Sequence, residues 1–361
     1  MRYRSIDLMR SYAIVVMIFV HFLENLAGSR DWSPDGFGAP IFTFLTGVSY
    51  RLWLVSRERR GTATDQISRE TIRRGLFLLG LGFLFNGLVW LPEDLFTWDV
   101  LTFLGIAMCV LSVARLMPAG VVMVLIGLAV CLSPVMQRTV DYPAYWTQGY
   151  FESEQTLSEL LTGVLVTGYF PVFPWIALPL TGFLAAPALL RLNGNEPRAF
   201  RNWMAVGGVL ATVAMLLVLV KWMGWTGSGW IAAWTMYPAS ATYLPGVLGM
   251  VILLQGGLYH WIDNPGWGAK WISEAVFRRA ERFSRYSLTI YILHHIVHLW
   301  PLWIYGYSVA GDPTLYWGKV LSWWPSFFLA LGFLVLCDWW LSWVDRCRIR
   351  TVESLMRWLC E

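Results

Sequence analysis

Long apolar runs, separated by short polar or proline- and glycine-rich stretches, recur along almost the whole chain. A helix crossing the ~30 Å hydrocarbon layer of a bilayer needs about 20 such residues. Ten segments meet that length, centred near Ile18, Thr46, Gly82, Ala107, Ile126, Pro179, Ala214, Gly249, Leu293 and Gly332. The pattern predicts an all-α polytopic membrane protein of about ten transmembrane helices, with residues 1–361 forming a single integral-membrane domain. Two further segments have the period of surface-lying helices. Ile272, Val276, Ala280 and Phe283 share one face, as do Ile349, Val352, Met356 and Leu359, with arginines opposite, which predicts short interfacial helices. The run "GYFPVFPWIALPLTGF" carries Pro171, Pro174 and Pro179, so a kinked or broken helix is expected there, of the kind tolerated beside a cavity. The polar and aromatic stretch from Gln137 to Glu159 is long enough to form an external lid.

Charge fixes an orientation for this pattern. With the N-terminus in the cytoplasm and the helices alternating, all but four of the 27 lysines and arginines fall on the cytoplasmic side. The four outside are Arg30, Arg138, Lys221 and Lys319. The positive-inside rule therefore favours an N-in/C-in protein with an even number of spans. Composition agrees with the class: 57% of residues are hydrophobic and 14% charged, against roughly 25% charged in soluble domains. The 23 tryptophans suit the membrane–water interface. A net charge of +4 gives no case for nucleic-acid binding. The five cysteines, Cys109, Cys131, Cys337, Cys347 and Cys360, form no C-x-x-C pair and predict neither a disulfide framework nor a zinc site. Arg10, His21 and Glu24 interrupt the first apolar run, and no small-x-small cleavage site follows it, so it reads as an uncleaved span. The final "LCE" is not a prenylation signal.

Ionisable groups inside the hydrocarbon layer are costly and point to function. In the first span, "RSYAIVVMIFVH" sets Arg10 and His21 eleven residues apart, about three turns, on one face and roughly 16 Å apart along the axis. With Arg10 at the cytoplasmic headgroups, His21 comes near the midplane, and Glu24 lies one turn further out. The ninth span, "RYSLTIYILHHIVHLW", places Ser287, Tyr291, His294 and His298 on one stripe, with His295 about 100° away. His294 is expected at about the depth of His21. Packing and topology-setting roles compete for each residue taken singly. A metal held by His294 and His298 has the right spacing but no acidic residue on that stripe, a bis-histidine haem between the first and ninth helices is geometrically possible, and no metal is expected. Asp35 precedes the second helix and Asp99 the fourth. Either could serve as an N-cap, and Asp35 could instead face a sugar hydroxyl. Arg57, Arg59, Arg60, Arg73 and Arg74, and Arg278, Arg279, Arg282 and Arg285, form two cytoplasmic clusters. Such clusters grip phosphates or anionic lipid.

Several of these segments together resemble a known family. "RSIDLMRSYAIVVMIFVH" resembles the first helix of the acyltransferase-3-like integral-membrane acyltransferases, with Arg10 and His21 in their Arg-x10-His arrangement. "DGFGAPIFTFLTGVS" and "DVLTFLGIAMCVLS" resemble bacterial relatives of heparan-alpha-glucosaminide N-acetyltransferase, and "YSLTIYILHH" is similar to a late-helix signature of both groups. In the lysosomal branch an asparagine stands at the position of His21, and the essential histidine lies in the following loop. Here that loop, "FLENLAGSRDWSPDG", has no histidine, so the resemblance carries catalysis to His21 through the acyltransferase-3 side.

The resemblance implies transfer of an acyl group, usually acetyl, from cytoplasmic acetyl-CoA or another acyl-CoA. The acceptor is a hydroxyl or amine of a glycan, lipid-linked sugar or other envelope molecule, reached across the cytoplasmic (inner) membrane of a bacterium. It implies His21 as general base or acyl carrier, with His294 orienting it or stabilising the oxyanion. Arg10, Arg57, Arg59, Arg73, Arg74 and Arg285 would hold the donor's phosphates, and Glu24, Asp35 and Tyr291 would face the acceptor. Membrane lipid is the other partner, nucleic acid is not, and homo-oligomerisation stays open. The alternative from another class is a secondary transporter using its midplane titratable groups.

Overall fold

A computed structural model describes residues 2–29, 36–90, 95–140, 142, 156–192, 197–224, 234–264 and 268–361. Among these residues the chain is helical, without a β-strand. The helices, in order, are α1 (Arg4–Ala27), α2 (Gly38–Arg59), α3 (Thr64–Val89), α4 (Val100–Ala114), α5 (Ala119–Thr139), α6 (Leu157–Thr162), α7 (Val172–Trp175), α8 (Ala177–Leu189), α9 (Pro197–Trp222), α10 (Tyr243–Leu258), α11 (Glu274–Arg285), α12 (Ser287–Ala310), α13 (Trp323–Cys347) and α14 (Val352–Cys360). Each of the ten expected span centres falls in a different one of α1–α5, α8–α10, α12 and α13. Eight segments are long and apolar enough to cross a membrane. The other two are α2, which has 22 residues but is more polar, and α4, whose 15 residues reach only about 22 Å. The protein is thus an all-α, multi-pass membrane protein.

Burial sorts the helices into a centre and a rim. α1 packs against α2, α11, α12 and α13. In α5 and α9 only 17% and 11% of the apolar window is buried, and Val124, Leu128, Val209 and Leu216 point outward, as lipid-facing helices do. Glycine sets the closest crossings. A methyl added at Gly47 of α2 would overlap the Pro179 carbonyl, and one at Gly182 of α8 would overlap that of Phe44. α2 and α8 can touch backbone to backbone there only because both positions lack a Cβ.

The proline-rich span is broken, as its composition predicts. α6 runs into a π-helical turn at Gly163–Thr167, the chain then extends through Tyr169 and Phe170, and α7 and α8 follow. Pro171 is the N-cap of α7, and Pro179 lies in the first turn of α8, where a missing N–H leaves no gap in the helix ladder. Of the segment expected as a lid, residues 141 and 143–155 lie outside the described residues, as does Asp35.

The start of α1, α11 and α14 gather at one end of the bundle, the basic end. Arg4 pairs with Glu274 at 2.8 Å, and Arg282 with Asp338 at 2.5 Å. The two interfacial segments are helices, and each buries its expected face only in part. α11 turns Phe277, Ala280, Phe283 and Ser284 inward and leaves Val276 exposed. Packing against α1, with Arg4 over the Phe277 ring, selects a face about one residue round from the most apolar stripe. α14 buries Cys360 while Leu355, Trp358 and Leu359 stay exposed.

Candidate active site

One cavity of about 1400 Å³ runs through the centre of the bundle. Its lining on α1 extends from Arg10 through Ala13, Met17, His21 and Glu24 to Asn25, about 22 Å of helix. Arg10, His21 and Glu24 therefore share one wall. Ser49, Arg74, Ser287, Glu353 and Met356 close the basic end. Trp90, Tyr142, Tyr169, Phe170, Tyr237 and Trp317 line the opposite end. His21 stands between the two.

His21 Nδ1 lies 2.7 Å from His295 Nε2 and 3.2 Å from His294 Nε2. The protons of this cluster follow from its neighbours. His294 Nδ1 faces the Ile290 carbonyl at 3.0 Å, His295 Nδ1 that of Tyr291 at 3.0 Å, and His298 Nδ1 that of His294 at 2.5 Å. A nitrogen facing a carbonyl oxygen donates, so in the neutral rings each Nε2 accepts. His21 is then the donor through Nδ1–H, shared between two lone pairs. Its own Nε2 keeps a lone pair, and no described residue bonds to it. The α12 histidines are fully or almost fully buried, and of them His295 lines the cavity together with His21.

His295 was expected to point away from His21 and instead makes the shorter bond. α1 faces the gap between positions 294 and 295, so side chains 100° apart on α12 converge on it from either side. Phe85 and Trp90 pack on the His295 ring at 5.1 and 5.6 Å between centroids and fix its orientation. His298 is satisfied separately: Asn25 Nδ2 donates to its Nε2 at 2.8 Å, and Trp317 Nε1–H donates to Asn25 Oδ1 at 3.0 Å. Beside His295, Tyr291 O–H donates to Asp99 Oδ2 at 2.7 Å, and Asp99 Oδ1 accepts the Val100 N–H at 2.6 Å. Asp99 is thus the N-cap of α4 and a cavity residue at once.

The nitrogens of His21, His294 and His295 lie within 4.8 Å of one another, a grouping the α12 stripe alone did not reveal. The 2.7 Å separation is a hydrogen-bond distance, shorter than the ~3.4 Å between two nitrogens each ~2.1 Å from a tetrahedral zinc.

The arginines divide. Arg10 lines the cavity, its Nη1 donating to Ser284 Oγ at 3.0 Å and its Nη2 to Ser49 Oγ. No carboxylate among the described residues pairs with it. Arg74 also lines the cavity and is bound by Glu361. Arg57, Arg59, Arg73 and Arg285 do not reach it. Arg57 pairs with Glu70 at 2.7 Å, Arg285 pairs with Glu281 at 2.5 Å, and Arg59 and Arg73 are exposed. Ser49 and Ser284, which hold Arg10, carry no signal in the sequence.

The fold and the site define a membrane-embedded helical bundle with a histidine-centred chamber. No curated protein matches the chain. Residues 2–219, from α1 into α9, match the family model described as heparan-alpha-glucosaminide N-acetyltransferase, catalytic. The match covers more than half of the chain, which belongs to that family, and makes it a transmembrane acetyltransferase. Arg10, His21, Arg74 and Asp99 lie within the matched region, and the α12 histidines lie beyond it.

Proposed function

We propose that the protein moves an acetyl group from acetyl-CoA, entering at the basic end, to an amine or hydroxyl of a glycan or other envelope acceptor at the aromatic end. The observation that carries this reading is the single cavity joining the two ends, with the Nε2 lone pair of His21 between them. The basic end would be cytoplasmic, in the inner membrane of a bacterium. The cavity draws on helices from α1 to α14, so residues 1–361 would act as one domain.

Arg10 and Arg74 are the donor-binding residues in this reading, since a phosphate accepts charge-assisted bonds from guanidinium. Arg10 suits the role best because its partners among the described residues are hydroxyls only. Glu24 and the Asp99–Tyr291 pair would face the acceptor, beside rings on which a sugar can stack.

At the junction, His21 Nε2 takes the proton from the acceptor N–H or O–H as that atom attacks the thioester carbonyl carbon. The imidazolium formed has its Nδ1–H already directed at two neutral imidazoles, which stabilise it as a charged donor. The C–S bond then breaks, and the thiolate takes the proton from Nε2, returning His21 to its starting state. His295 is the positioning residue, assisted by His294. His294 gives its one ring proton to Ile290 O, which argues for an accepting role and against the oxyanion-stabilising one.

The test is purified protein with acetyl-CoA, using glucosamine as probe acceptor and release of free thiol as the readout. Acetyl-CoA binding with acceptor-dependent thiol release is expected. Absence of both would overturn the reading.

A further inference from the structure

α14 lies across the basic mouth of the cavity, and carboxylates fasten it at both ends. At its start, Glu353 accepts the Thr289 N–H at 2.9 Å and the Thr289 O–H at 2.6 Å. The N-cap of α12, Tyr286, offers no side-chain acceptor, so Glu353 satisfies an otherwise orphaned donor of the first turn. Val352 N–H adds a bond to Thr289 Oγ1 at 3.3 Å. Eight residues on, about 12 Å along the helix, Glu361 pairs with Arg74 and stands 3.7 Å from Arg57.

The two attachments differ in kind. Glu353 is held by directed bonds to a helix terminus. Glu361 is held by ion pairs, with 38% of its side chain exposed, and pairs of that sort are weak and easily exchanged. Arg57 keeps Glu70 whatever Glu361 does. Arg74 has no other ion-pair partner among the described residues, and it is the arginine that faces the cavity.

We infer that Glu361 is a built-in stand-in for a donor phosphate, and that α14 is a strap which pivots on Glu353 as the donor's phosphate replaces Glu361 on Arg74. This rests on the donor site proposed above and adds its regulation. The strap pairs with Arg74 through Glu361, and its Met356 lines the mouth of the cavity. An entering polyphosphate outcompetes one carboxylate because it brings more charge and more acceptor oxygens. Cys360 reports the movement. It is 2% exposed beneath the strap, and burial pushes its thiol up from the ordinary value.

The experiment uses the full chain in detergent and equilibrium binding of acetyl-CoA. Glu361→Gln should tighten binding about fivefold, the effect of removing one exposed ionic competitor. Arg74→Gln should weaken binding, and adding Glu361→Gln to it should change nothing more. In a variant retaining only Cys360, saturating acetyl-CoA should speed maleimide labelling. An unchanged affinity in Glu361→Gln, or labelling that holds steady or slows, overturns the strap while wild-type binding leaves the donor site standing. Absence of acetyl-CoA binding in wild type and Glu361→Gln alike overturns the donor site itself.

Discussion

The two ends of the cavity solve the problem of polar groups in a membrane differently. At the basic end several guanidiniums are matched with carboxylates, as in Arg57–Glu70 and Arg282–Asp338. Arg10 is left with hydroxyls alone. At the aromatic end rings dominate, and polar groups are tied to them, as Asn25 is to Trp317 and Asp99 to Tyr291. The contrast teaches that charge abundance is a poor guide to function here. Of the two arginines that line the cavity, the informative one is the one without a carboxylate partner among the described residues, and the informative imidazole is the one with a free lone pair.

Variants can test this contrast in order of expected effect. His21→Gln removes the base at the junction and should lower acetyl transfer by about 10²–10⁴-fold, with acetyl-CoA binding kept, as read by thiol release and equilibrium binding. His295→Phe removes the shorter of the two acceptors for Nδ1–H. A hydrogen bond to a charged group contributes about 1.5–3 kcal/mol, so kcat should fall roughly 10- to 100-fold, and His294→Phe should cost less. An equal loss from both would mean that the two act as one packing unit. Arg10→Gln should raise KM for acetyl-CoA about tenfold or more and leave KM for the probe acceptor unchanged. Trp317→Leu should do the reverse, raising acceptor KM by about two- to tenfold, the range of a lost aromatic contact. A variant at one end that shifts both KM values equally would break the division.

The architecture was legible because bilayer thickness dictates it. Every run of about 20 apolar residues became helical, the proline-rich one in pieces, and the shared face of Arg10, His21 and Glu24 follows from local periodicity alone. What escaped depends on how separate helices meet. The inward face of α11 was set by α1, which took Phe277 in place of Val276. Helical angles on α12 separated His294 from His295, yet His21 meets both. Nothing near Arg10 in sequence announces Ser49 or Ser284, and nothing near Arg74 announces Glu361. Only packing shows that the cavity reaches Arg10 and Arg74 and not Arg57, Arg59, Arg73 or Arg285.

The most direct measurement is vectorial transfer in sealed vesicles. Protein is reconstituted with its basic end outward, labelled acetyl-CoA is added outside, and glucosamine is trapped inside, for wild type and His21→Ala in parallel. Labelled N-acetyl product inside wild-type vesicles, and none with His21→Ala protein that still binds acetyl-CoA, is the predicted result. Full internal acetylation by His21→Ala would contradict the central claim that the acetyl group changes hands at His21.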